Sequence, residues 1–141
     1  MTQGVVKRTI MWGDLDALGI VFYPRYYEWI DASGHLFFDQ LGLNLGELWA
    51  DRGIQFGLGE TSCRYRRPGR YHQQVKIITE IEFLGDKSVH LSHRIYRVED
   101  DALLVDGLEK RVCMDVSDPL DLHACKIPVD IFEVLSRAAK A

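Results

Sequence analysis

Apolar positions recur in two rhythms along this chain. From Val75 to Phe83 they alternate: Val75, Ile77, Thr79, Ile81 and Phe83 interleave with Gln74, Lys76, Glu80 and Glu82. Period two marks a strand with one face on a core. Val89, Leu91 and Ile95 continue it after a Gly85-Asp86 turn, and Leu103 to Val116 returns after Glu99-Asp100-Asp101. Three long sequential strands predict an antiparallel meander. Val5 to Trp12 predicts an earlier strand. Ile54 to Tyr65 predicts an irregular one, since Gly57 and Gly59 interrupt it and point to a bulge or a ligand close to backbone.

The second rhythm is helical. From Pro24 onward the polar residues Glu28, Asp31, His35 and Asp39 form one narrow stripe, and the rest up to Leu41 is apolar or small. Proline suits a helix's first turn, where its missing N–H would have no partner. About 17 residues at 1.5 Å each give a rod of roughly 25 Å. A helix apolar over most of its circumference is expected to be covered on most sides. Gly34 in mid-helix costs roughly 1 kcal/mol against alanine, and close approach of another backbone is the expected return. Gly42 suits the position past the helix end. Asn44 followed by Glu47 starts a short helix with Leu45, Leu48 and Trp49 that ends near Gly53. Pro128 opens a terminal helix. The resulting fold class is α+β: one long helix on the concave face of a curved antiparallel sheet, whose exposed edges invite a second copy.

Composition narrows the function. The 141 residues suit a single domain, 1–141, with 47% hydrophobic and 27% charged residues. A net charge of −4 argues against a protein dedicated to nucleic acid. Without a membrane-length apolar run or a signal-peptide block, the expected location is cytoplasmic and off the membrane. Cys63, Cys113 and Cys125 are odd in number and widely spaced, which favours buried thiols over a disulfide framework or a zinc site. No metal is expected: His72, His90 and His93 form no ligand set and read as structural.

The segment GDLDALGIVFYPRYY, Gly13 to Tyr27, resembles the signature of the hot-dog-fold acyl-CoA thioesterases. It is most similar to the 4-hydroxybenzoyl-CoA thioesterase group: two acids one residue apart, a glycine three positions on, then apolar residues and an aromatic helix. The resemblance implies a long central helix wrapped by a five- or six-stranded antiparallel sheet. It implies a homodimer or homotetramer with the active site at the subunit interface, and Asp16 as the catalytic carboxylate. Many relatives carry His where this chain has Tyr23, and the aromatic-acyl type has Tyr, which favours an aryl thioester. Asp14 is read as structural.

The chemistry has two requirements. Asp16 attacks the thioester carbonyl as nucleophile or activates water as general base. The backbone N–H of Tyr23, at the positive end of the helix, is the candidate oxyanion donor. No cofactor is required, because CoA is part of the substrate. Gly19, Phe22 and Asp31 are candidate acyl-group contacts. CoA phosphates call for cations, and Lys87, Arg64, Arg67, His123 and Lys126 are the candidates, with Arg66 and Arg70 in the same basic turn as Arg64 and Arg67. The alternatives are a short- or medium-chain aliphatic thioesterase, a non-catalytic acyl-CoA binding module, and a dehydratase using His35.

Overall fold

The computed structural model describes residues 1–140. Strand β1 (Gly4–Thr9) is followed by a tight 3-10 turn, Trp12–Asp14, and then by helix α1 (Tyr23–Gln40). The first strand thus ends three residues before the expected Trp12, because the turn begins there. A three-residue helix, α2 (Leu45–Glu47), runs on through a wider π-type turn, Leu48–Arg52. The Asn44 side chain caps it by accepting the Glu47 N–H at 3.0 Å, and Gly53, at φ 62°, closes the turn. Four long strands follow: β2 (Ile54–Tyr65), β3 (Gln74–Leu84), β4 (Ser88–Arg97) and β5 (Leu103–Asp115). The chain ends with a two-residue strand, β6 (His123–Ala124), and helix α3 (Val129–Lys140).

All strand pairs are antiparallel, in the order β1-β3-β4-β5-β2, and β6 pairs with the end of β5. The meander β3-β4-β5 therefore forms as the alternation predicts. The β2 ladder slips between Leu58 and Glu60, so the bulge falls at Gly59. A Cβ at Gly59 would lie 3.0 Å from Val112 Cγ2. Among the described residues strand β2 pairs only with β5, and its other edge is open.

Helix α1 lies across the concave face with Tyr26, Trp29, Ile30, Ser33, Gly34, Phe37 and Phe38 buried. That is a spacing of three and four, a single buried face. Its far side, with Tyr23, Glu28, Ala32, His35 and Leu36, is open within one chain, so the expectation of cover on most sides is not met by this chain alone. The aromatic run disguised the face, because Tyr23 is exposed, Tyr26 is buried and Tyr27 lies between the two extremes.

Two apolar clusters fill the space between helix and sheet. One surrounds Phe37 and Phe38 and includes Leu91, Cys113, Ile131 and Leu135. The other surrounds Tyr26, Trp29 and Ile30 and includes Val75, Ile77, Ile95 and Leu104. A buried polar row separates them. Thr79 Oγ1 lies 2.8 Å from His93 Nδ1, and His93 Nε2 lies 2.7 Å from Glu109 Oε1. Glu109 Oε2 accepts from Arg111 Nη2 at 2.7 Å, and Arg111 Nη2 also reaches Asp31 on the helix at 2.7 Å. Gly34 sits over this row: a Cβ there would be 2.9 Å from Glu109 Oε1. The close approach expected at Gly34 is therefore a carboxylate, not a second backbone. Among the described residues no helix is long and apolar enough to cross a membrane.

Candidate active site

The loop before α1 is shaped by its two acids in different ways. Asp14 is buried and fully engaged. Its Oδ2 accepts the Met11 N–H at 2.8 Å, Arg8 and Arg25 flank the carboxylate at 3.8 Å, and its carbonyl accepts the Phe22 N–H at 2.8 Å. Asp14 thus ties the turn to the start of the helix. Asp16 is half-buried, and one oxygen accepts the Leu18 N–H at 2.8 Å. Its other oxygen has no donor among the described residues. Gly19, at φ 77°, lets the loop reverse so that its N–H reaches the Asp16 carbonyl at 3.0 Å. The Asp16 N–H then bonds the Ile20 carbonyl at 2.9 Å.

Asp16 and Tyr23 line one cavity of about 510 Å³, together with Ile20, Val21, Tyr26, Tyr65, Arg66, Arg67 and Pro68. The loop following β2 forms the opposite wall. Its Gly69 carbonyl accepts the Val21 N–H at 3.0 Å, and its Gly69 N–H donates to Tyr26 Oη at 3.2 Å. A side chain at Gly69 would sit within 3.0 Å of Ile10, Val21 and Tyr26, so the two loops close only over a bare backbone. The Arg66 and Arg67 N–H groups both bond the Leu104 carbonyl, at 2.8 and 3.2 Å. Arg67 carries no ion pair among the described residues.

The helix start leaves one amide over. The Phe22 N–H is taken by Asp14, Pro24 has none, and the Arg25 N–H returns to the Phe22 carbonyl at 2.9 Å. The Tyr23 N–H has no acceptor among the described residues, at the point where the helix dipole is positive. The cavity wall is phenolic. Tyr65 meets Tyr23 edge-on at 6.4 Å between ring centres and Tyr26 at 6.0 Å. Burial and the neighbouring Tyr27 push the Tyr65 phenol above its usual range, and burial raises Tyr26, so both are neutral hydroxyls at physiological pH. Burial likewise pushes the nearby Cys63 thiol up to about 11, which makes it a poor nucleophile.

The other sequence candidates fall elsewhere. Gly19 shapes the loop and Phe22 stacks edge-on against Tyr23 at 5.6 Å, but neither lines the cavity. Asp31 lies two turns further along α1, half-exposed, between Arg111 and His35 Nε2 at 3.4 Å. The cationic candidates divide. Arg64 and Arg67 stand at the cavity end of β2. Lys87 is in the β3–β4 turn at the other end, where its carbonyl accepts the Cys113 N–H, and His123 and Lys126 follow β5 there. Gly57, beside that turn through Val112 and Ser88, is eight residues from Tyr65, or roughly 26 Å of strand. One chain does not bring the two groups together. Tyr26, Tyr65 and Pro68 are cavity residues that sequence reasoning missed. Tyr65 stands directly before the basic turn, a position that periodicity alone assigns to strand. No cluster of three or more His, Cys, Asp or Glu side chains is placed to hold a metal among the described residues.

Comparison with known proteins bears on the family and the fold. Residues 10–135 match the family described as the thioesterase-like superfamily. A 4-hydroxybenzoyl-CoA thioesterase of Pseudomonas sp. (strain CBS-3) is 28% identical over 138 residues, 93% of this chain and 96% of that protein. The solved structure of a gentisyl-coenzyme A thioesterase is 36% identical, with a TM-score of 0.78 over 90% of this chain and 98% of the other. A mutant 4-hydroxybenzoyl-CoA thioesterase complexed with 4-hydroxybenzoyl-CoA superposes with a TM-score of 0.88 at 26% identity, covering 96% and 99%.

Proposed function

Because the chain belongs to the thioesterase-like superfamily, as an acyl-CoA thioesterase of the hot-dog fold, we propose that its substrate is an aromatic acyl-CoA thioester. The products are the free aromatic acid and CoA. The observation that carries this reading is that Asp16, with one unengaged oxygen, and Tyr23, with an unpaired N–H, both line one tyrosine-rich cavity. The named activities of the relatives, on 4-hydroxybenzoyl and gentisyl thioesters, support an aryl group.

In this reading the acyl carbonyl lies with its oxygen toward the Tyr23 N–H. Attack at carbon pushes negative charge onto that oxygen, where the amide and the helix dipole stabilise it. Loss of one such donor typically costs roughly 2.7–4 kcal/mol. Asp16 supplies the attack, directly to give a mixed anhydride or through a water it deprotonates. The leaving thiolate is a stable anion and needs little protonation. Tyr26 and Tyr65 offer ring faces and hydroxyl groups to an aromatic acyl group. Gly19 serves by setting the loop turn that presents Asp16, and Phe22 by backing the Tyr23 ring.

The nucleotide end needs a second copy. Two chains paired antiparallel along the open edge of β2 bring Lys87 of the partner subunit, with the partner's His123 and the partner's Lys126, toward Arg64 and Arg67 of this one. The exposed side of α1, including Asp31, then faces the same interface and reaches the bound acyl group.

The test is a panel of benzoyl-type and butanoyl-type CoA thioesters assayed with the parent and with Asp16→Asn. The aryl thioesters are expected to be preferred, and the Asn form to lose roughly 10²- to 10⁴-fold in kcat. Undiminished turnover by Asp16→Asn defeats the mechanism, and a butanoyl preference defeats the substrate assignment. Single turnover in ¹⁸O water separates the two roles of Asp16: water that opens a mixed anhydride at the Asp16 carboxyl carbon leaves label in the enzyme, whereas the general-base route puts label only into the product acid.

A further inference from the structure

At the opposite end of the sheet from the cavity, β5 and β6 hold two thiols in register. Met114 pairs with Ala124 and Asp115 with His123, so Cys113 and Cys125 are the next cross-strand neighbours. Such neighbours have Cα atoms about 4.5–5.5 Å apart, within the about 4.4–6.8 Å that a disulfide spans. The Cys125 N–H donates to the Cys113 carbonyl at 2.9 Å, which fixes the pairing. The two sulfur atoms already lie 3.6 Å apart, in residues twelve positions apart along the chain.

The segment this pair would close is a strap joining β5 to α3. Apart from the β6 pairing, its ends are held by the Val116 N–H on the Gly53 carbonyl and by the Ile127 N–H on the Asp86 carbonyl, both at 2.8 Å. Residues 117–122 are all exposed, with Leu120 at 96%. We propose that Cys113 and Cys125 form a reversible disulfide with a low-molecular-weight disulfide as oxidant, and that this bond clamps the strap.

The exchange balances without any further reagent. Cys125 is only partly buried, so the small disulfide meets it first. The Cys125 thiol gives up its proton and attacks one sulfur of the small disulfide. A mixed disulfide forms and one small thiolate leaves. Cys113 then gives up its proton and attacks the Cys125 sulfur, and the second small thiolate leaves. The two protons go to the two small thiolates, so two protein thiols are oxidised and one small disulfide is reduced to two thiols. Cys113 is fully buried, so it meets no small disulfide directly; burial with the adjacent Cys125 pushes its thiol up to about 12, which slows its attack on the mixed disulfide, and the 3.6 Å separation of the two sulfur atoms is what sets it in place for that attack. Because the strap carries His123 and Lys126, the clamp bears on the cationic end of the sheet. That consequence rests on the thioesterase reading, whereas the disulfide itself does not.

The experiment equilibrates the full chain with reduced and oxidised glutathione at graded ratios and identifies the thiol state by peptide mass mapping. The expected result is a Cys113–Cys125 disulfide, reversed by excess reduced glutathione, with Cys63 still free. Limited proteolysis within 116–122 is expected to slow roughly tenfold in the oxidised form, as closing such a loop suppresses local opening. Cys125→Ser should abolish both effects, and Cys63→Ser should preserve both. Glutathione left unresolved on Cys125, two thiols unchanged in pure oxidised glutathione, or a bond to Cys63 would each overturn the proposal. An oxidised strap cut as fast as the reduced one would overturn the clamp.

Discussion

Gly34→Ala separates two opposed contributions in α1. Alanine is the better helix residue by about 0.8–1.0 kcal/mol, so propensity alone predicts a gain. The structure predicts a loss. The added methyl would lie 2.9 Å from Glu109 Oε1, closer than carbon and oxygen settle, with Arg111 Nη2 next at 3.6 Å. Glu109 cannot swing into water, because its side chain is 2% exposed and Arg111 beside it 5%. If it moves it gives up His93 at 2.7 Å and Arg111 at 2.7 Å. Breaking a buried charge pair costs about 3–5 kcal/mol, since the remaining charge stays buried. Against the propensity gain, the net is about 2–4 kcal/mol of destabilisation. At about 4 °C per kcal/mol for a domain of this length, Tm should fall by about 8–16 °C. Thermal denaturation followed by circular dichroism, at equal protomer concentration, measures it. Ala32→Gly is the control: this helix position is exposed, so the swap should cost only about 1 kcal/mol. If Gly34→Ala raises Tm, the polar row does not constrain the helix and the reasoning fails.

Two further outcomes follow from the open strand and from an exposed turn. Leu58 on β2 is 49% exposed beside the open edge. Leu58→Glu should shift sedimentation toward single chains and lower turnover with it, whereas unchanged sedimentation would place the interface elsewhere. Arg97 grips Asp100 through two bonds of 2.8 and 2.7 Å and holds its carboxyl down to about 2, from 3.8. A depressed carboxylate lends stability above its unfolded value of 3.8, and that contribution is lost as pH falls through about 2. Carboxyl-carbon NMR titration should find the Asp100 midpoint near 2 and, in Arg97→Ala, a clearly higher one. A midpoint near 3.8 in the parent would remove the ion pair from the account.

The strands were legible in the sequence because the core enforces alternation. Every odd residue from Val75 to Ile81 is buried, and no polar group disturbs the count except Thr79, which bonds His93. Helix α1 was legible in extent but not in facing. Aromatic residues occur on both its sides, so hydrophobicity does not distinguish the buried Tyr26 from the exposed Tyr23. Glu109 and Arg111 were not legible as core residues at all. Both occupy inward positions of β5, and only the contact with Gly34 reveals why charge is tolerated there. The loop acids were legible through spacing, since a shared backbone turn needs only local chain. The cationic residues were not, because their grouping depends on which end of the sheet each one reaches.

That division of cations bears on why the Asp16 loop stands where it does. Strand β2 runs from the end with Lys87 and His123 to the end with Tyr65 and the cavity, and it is open along its outer edge. An open strand of 12 residues exposes a row of unpaired backbone groups, which proteins rarely leave uncovered. Around the cavity end, Leu18, Phe22, Tyr23 and Tyr65 are each close to half exposed or more. In the proposed assembly one event covers both surfaces. Antiparallel pairing of two β2 strands satisfies the backbone row, shelters the aromatic mouth, and lays the cationic end of one sheet beside the cavity of the other. Substrate binding and self-association then depend on the same strand. A protein kept as single chains by Leu58→Glu should therefore lose affinity for the nucleotide part of CoA while keeping the Asp16 loop folded.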